Sequence, residues 1–110
     1  MRIAHLGDLG HLLDDEQIAK LGKLDAVMLP VGGTYTIDPA QANALCQRLD
    51  AKVVIPMHYR GDGFGYDNIA HIDEFLCLRD DVCTIEGSTL SLTPDTMTMT
   101  AVLAPPAPMK

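Results

Sequence analysis

The sequence predicts an α/β fold built on one mixed sheet, and three observations carry that expectation. Ala26-Val27-Met28-Leu29 and Val53-Val54-Ile55 are apolar runs of strand length, closed by Pro30 and Pro56. Such runs lack polar alternation, which is the mark of interior strands covered on both faces. Capped amphipathic stretches lie between the runs, so the order reads β-α-β-α-β, the pattern of a parallel sheet with right-handed crossovers.

The elements follow in chain order. Arg2 to Leu6 reads as a short strand running into the turn Gly7-Asp8-Leu9-Gly10. Asp14 is placed to cap a helix, with Gln17 at capping-box spacing, Ile18 and Leu21 on its apolar face and Gly22 as its stop. After the first apolar run, Asp38 caps a second helix with Pro39 at its first position, and Ala42, Leu45, Cys46 and Leu49 fall on one stripe. Beyond the second run comes the glycine-rich loop Gly61 to Gly65, and then a helix expected over 68–78 with Ile69, Ile72, Phe75 and Leu76 on one face. Val82 to Ile85, Thr89 to Leu92 and Met97 to Leu103 read as strands of an antiparallel edge. The expected organisation is one domain over 1–103 and a loose tail over 104–110, where three prolines cluster.

Composition narrows the partners. Eight Lys and Arg stand against 15 Asp and Glu, a formal net charge of -7. Nucleic acid and anionic membranes both select a positive field, so neither is an expected partner. No apolar run approaches the length of a membrane span. The three cysteines, Cys46, Cys77 and Cys83, are an odd number without a C-x-x-C pair. They read as reduced, small buried side chains of a cytoplasmic protein.

Ligands of open α/β sheets gather beyond the carboxyl ends of the strands. Three loops leave those ends here: "HLGDLGH" (5–11), "PVGGTYTID" (30–38) and "PMHYRGDGFGYD" (56–67). With parallel, adjacent strands, Asp8, Gly32-Gly33 and His58 share one edge. A carboxylate and an imidazole there suit a borderline metal such as zinc, or proton transfer. Local pattern also fits blander roles. Asp8 between glycines suits a turn, and His58 suits a hydrogen-bonded strand-end histidine. His5 reads as a packed or capping residue, His11 as a loop residue and His71 as a solvated helix residue. Neither glycine-bearing loop carries the G-x-G-x-x-G dinucleotide fingerprint.

Taken together, "HLGDLGH", "LDAVMLPVGGTYTIDPAQA" and "KVVIPMHYR" resemble the C-terminal half of the metallo-β-lactamase superfamily. They are most similar to its branch of metal-dependent hydrolases related to ascorbate-6-phosphate lactonase. The resemblance implies half of a four-layer αββα sandwich, with helices on one face of the sheet. It also implies that Asp8 bridges two metal ions, that His58 ligates the second, and that Gly32-Gly33 lie beside the substrate. The family's H-x-H-x-D-H motif, which supplies further ligands, does not occur in these 110 residues.

The resemblance therefore implies a portion of a metal-dependent hydrolase of small-molecule substrates, inactive alone. Zinc or manganese would bind only once another chain supplies the remaining ligands. The alternative is a non-catalytic half-domain acting as a homodimeric binding or assembly module. In either case an inner face of Val27, Leu29, Val53 and Ile55 is expected to need covering, by a complementary N-terminal half or by a second copy in a homodimer.

Overall fold

The computed structural model describes residues 2–7, 9–10, 13–34, 36–60, 68–85, 90–93, 96 and 98–103. The elements are β1 (Ile3–His5), α1 (Asp15–Leu21), β2 (Lys23–Pro30), α2 (Pro39–Arg48), β3 (Asp50–Met57), α3 (Asp73–Leu76), β4 (Val82–Ile85) and β5 (Met99–Leu103). The Asp8 and His11 positions, the glycine-rich loop and the 104–110 tail lie outside the described residues.

Both early helices start as their sequences dictate. The carboxylates of Asp14 and Asp38 accept from the backbone N–H of Gln17 and Gln41, and each glutamine side chain answers the cap's own N–H. Each reciprocal pair satisfies two of the amides that a helix start leaves without partners. Gly22 ends α1 with φ 62, a conformation that favours glycine. The third helix is much shorter than expected. Asn68 to Ala70 do not join it, because Ala70 donates instead to the Gly32 carbonyl at 2.7 Å. Tertiary pairing has overridden helical periodicity there.

The sheet has the order β1-β2-β3-β5-β4 and every strand pair in it is parallel. The α/β class is as expected, whereas the antiparallel edge is not: β4 and β5 run with the rest. A parallel neighbour requires a crossover of roughly a dozen residues or more, and the chain between Ile85 and Met99 provides it. Leu90 and Leu92, expected in a strand, belong to that crossover and pack against the sheet.

The side chains separate into two layers. Under the helices lie Val27, Leu29, Val31, Ile37, Ala42, Leu45, Val54, Ile72 and Phe75. On the other face Ala26, Val53, Ile55 and Ala101 meet Met28, Ile85, Leu90 and Leu92. All three helices therefore serve one face, as the resemblance implied. The expected inner face of Val27, Leu29, Val53 and Ile55 is corrected by this division. The register pairs Ala26 with Val53 and Val27 with Val54, an odd offset. Odd-numbered residues of β2 consequently share a face with even-numbered residues of β3. Val27 and Leu29 thus sit on the opposite side from Val53 and Ile55, and each of the four is at most 9% exposed within the chain itself.

Cys77 and Cys83 are exposed, against the expectation of burial, and Cys46 is partly buried; all three are free. Burial pushes the Cys46 thiol up to about 11, with Arg79 opposing the shift and Asp81 adding to it. Reaction requires the thiolate. With the pKa at about 11, the Cys46 thiolate fraction near pH 8 is about 100-fold below that of an ordinary thiol. A mass-spectrometric time course with iodoacetamide should show Cys77 and Cys83 alkylated first and Cys46 only on unfolding. Equal rates at all three would contradict this. The folded state holds the Cys46 proton more tightly than the unfolded chain. Its contribution to stability is therefore complete below pH 9 and lost as pH rises towards 11.

Candidate functional site

Three parallel strands bring their carboxyl ends to one edge, and backbone hydrogen bonds continue past the strands to bind the following segments together. Leu6 donates to the Met28 carbonyl and Val31 to that of Met57, both at 2.9 Å. Ile37 N–H reaches Leu9 O at 2.9 Å, joining the segment after β1 to that after β2. Arg60 N–H donates to the Ala70 carbonyl and the Arg60 carbonyl accepts from Ile72 N–H, each at 2.8 Å. The Thr34 hydroxyl donates to the Asn68 carbonyl at 2.5 Å. The edge is a laced backbone framework, which is how loop residues are held in fixed positions.

Gly32 and His58 sit where two of these segments meet. A β-carbon placed on Gly32 would lie 1.9 Å from the His58 carbonyl oxygen and 3.2 Å from the Ile69 β-carbon. Only a glycine permits that approach of backbone to backbone. His58 is the first residue beyond β3, exposed, with φ 53; Gly33 has φ 71 and Thr34 φ 63. Left-handed backbone at residues other than glycine is uncommon and gathers at functional sites. Beside His58, burial raises the Tyr59 phenol pKa, so the ring stays neutral and packs against the helix-side core.

The structure thus brings Gly32, Gly33 and His58 to one edge, while Asp8 is outside the described residues between Gly7 (φ 56) and Leu9. His5 Nδ1 accepts from Gly7 N–H at 3.2 Å, a local cap on the turn. His71 Nδ1 accepts from Asp73 N–H at 3.2 Å at the start of α3. Both histidines have structural tasks. Two residues of the edge, Thr34 and Arg60, escape reasoning from sequence pattern. For Thr34 no local signal exists, since its φ follows from contacts distant in sequence. Arg60 stands in the loop after β3, and a cation two residues beyond a candidate ligand is the signal that could have found it.

Among the described residues no three His, Cys, Asp or Glu side chains converge. A catalytic zinc takes three protein ligands. Imidazole and carboxylate chemistry suits such an ion, but the described residues do not bring together the three donors that a complete centre requires.

The five-stranded parallel sheet with its helices defines the class, an α/β fold of metallo-β-lactamase type. The Beta-lactamase superfamily domain matches residues 1–58, and the chain belongs to that family. Its relatives include proteins named metal-dependent hydrolases. One from Nitratidesulfovibrio vulgaris is 44% identical over 55 residues, covering 50% of this chain and 23% of that protein. One from Polaromonas is 45% identical over 65 residues, covering 58% and 24%. A crystal structure of a metallo-β-lactamase superfamily protein from Thermotoga maritima, named for Zn-dependent hydrolysis, superposes with a TM-score of 0.77 at 39% identity. It covers 89% of this chain and 50% of the Thermotoga protein. The chain therefore spans half of that structure and about a quarter of the curated relatives in the matched stretches.

Proposed function

We propose that this chain supplies one half of a metal-dependent hydrolase site, with His58 as a ligand, Asp8 as the bridging carboxylate and Gly32-Gly33 as the wall beside them. The observation that carries the reading is the seating of His58. Its carbonyl is pressed onto Gly32, its backbone is left-handed and the residue is exposed at the strand edge, where the resemblance implies a ligand. Bound metals would supply an activated water and a counter-charge for the developing oxyanion. The chain's own residues position these donors and fix the loops around a small substrate. The remaining donors come from an H-x-H-x-D-H half, whether on the same longer polypeptide or on a partner, and zinc and manganese are the ions to try first.

The test measures metal content after dialysis against Zn²⁺ or Mn²⁺, for the chain alone and mixed with the half of the Thermotoga relative that this chain does not match. Turnover of a lactone and of a phosphodiester is assayed in parallel, since the lactonase-related branch makes these the first probes. The expected result is substoichiometric metal in the chain alone, and bound metal with turnover in the mixture, both lost in His58→Ala and in Asp8→Ala. Absence of metal and turnover in the mixture, or metal indifferent to both substitutions, would leave the non-catalytic module as the better reading.

A further inference from the structure

Arg60 is a cation mounted on this edge. Its backbone is fixed on both sides, by its N–H to the Ala70 carbonyl and by its carbonyl to Ile72 N–H, and it forms an isolated parallel bridge with His71. Its Nε–H donates to the Ile69 carbonyl at 3.3 Å, which holds the guanidinium plane. A guanidinium carries five N–H donors in a rigid fork. Beyond that single bond, no carboxylate among the described residues forms an ion pair with it.

The other arginines behave differently. Arg48 is bonded to the Asp15 carboxylate and the Leu13 carbonyl. Arg79 is held by Asn43, Thr100 and Asp81. Arg2 is exposed, so water satisfies it. Arg60 is partly buried. Across the bridge, the acids nearest in sequence are turned onto His71: Asp73 Oδ2 lies 3.5 Å from its Nδ1, and Glu74 accepts from its backbone N–H. In a chain with 15 acidic side chains and 8 basic ones, a partly buried guanidinium that meets no carboxylate among the described residues departs from the overall balance. Among the described residues its charge has no counter-ion, withdrawing a charge from water without one is costly, and a fork fixed in advance loses little freedom when an anion arrives.

We infer that Arg60 is a specificity-determining residue that receives an anionic group of the substrate, a carboxylate or a phosphate, two residues past His58 on the same edge. The inference rests on reading that edge as a hydrolase site, and it adds the substrate class. The guanidinium stays protonated across the accessible pH range, and its fork matches both anions in a bidentate arrangement.

The test uses the chain without metal, titrated with inorganic phosphate and separately with acetate, followed by the NMR signals of Arg60 Nε–H and of the Arg60 and Ala70 amides. The expected result is a saturable shift at Arg60, with the tighter of the two probes identifying the anion. Arg60→Gln should weaken it at least tenfold and Arg60→Lys less, because lysine keeps the charge and loses the fork. Arg2→Gln, an exposed arginine ahead of β1 at the opposite end of the strands, should leave it unchanged. Shifts that fail to saturate, or that persist in Arg60→Gln, would overturn the inference. The two readings fail separately: loss of metal binding in His58→Ala speaks to the hydrolase site, and anion binding in metal-free protein speaks to Arg60. Should Arg60→Gln disturb the fold, Arg60→Lys carries the comparison, and phosphate affinity identical to the parent's would then count against the proposal.

Discussion

Gly32→Ala is expected to destabilise the protein by about 3 kcal/mol, at the upper end of ordinary overpacking, and to displace His58. The new β-carbon would stand 1.9 Å from the His58 carbonyl oxygen and 3.1 Å from its carbonyl carbon. These are backbone atoms, so no rotamer change relieves the contact. They are also anchored, since Val31 donates to Met57 just before His58 and the Gly32 carbonyl is held by Ala70. Gly7→Ala is the control. Gly7 has φ +56 and nothing within 4 Å of its added β-carbon, so it carries only the left-handed backbone cost of about 1–2 kcal/mol. Urea unfolding of both variants separates the two mechanisms. A loss at Gly32 no larger than that at Gly7 would show that its approach to His58 is unimportant. If the approach matters, Gly32→Ala should also shift the His58 amide resonance strongly, while Gly7→Ala leaves it in place.

The features legible in the sequence and those hidden from it divide along sequence distance. The caps at Asp14 and Asp38 are local grammar: a carboxylate, a glutamine three residues on and a following apolar stripe, and the structure realises both. The strands at Ala26–Leu29 and Val53–Ile55 declare themselves as apolar runs between breakers, though pairing extends them to Lys23–Pro30 and Asp50–Met57. Register is not local. It is set by how β2 and β3 slide before they lock, and a slide of one residue exchanges their faces, which is why Val53 and Ile55 lie opposite Val27 and Leu29. The direction of β5 is also non-local, because Met99–Leu103 reads the same in a parallel or an antiparallel pair. The crossover that decides between them carries Leu90 and Leu92 in a pattern that imitates a strand. At the candidate site, Gly32-Gly33 and His58 were legible as residues. The contact between Gly32 and His58, and the half-buried setting of the Arg60 fork, arise only when segments far apart in sequence fold together.

Phe75→Ala is expected to cost about 3–5 kcal/mol, a large part of the roughly 5–15 kcal/mol that stabilises a domain. The ring is fully buried and is the largest such side chain in the core. It anchors α3, a four-residue turn far too short to be stable on its own, and it lies 6.0 Å beneath the Arg79 guanidinium. The consequence extends to the candidate site through hydrogen bonds. Phe75 N–H donates to Ile72 O, Ile72 N–H to Arg60 O, Arg60 N–H to Ala70 O and Ala70 N–H to Gly32 O. Removing the ring frees the far end of that series. Hydrogen exchange should therefore show early loss of protection at Arg60, Ala70 and Ile72, while Val27 and Val54 in the central strands keep theirs until global unfolding. Leu76→Ala, at a partly buried neighbour on the same turn, should cost less and leave those amides protected. Uniform loss of protection in Phe75→Ala would mean that α3 and the sheet unfold as one unit. Selective loss would mean that the packing of one ring on the helix face holds the edge where Arg60, Gly32 and His58 meet.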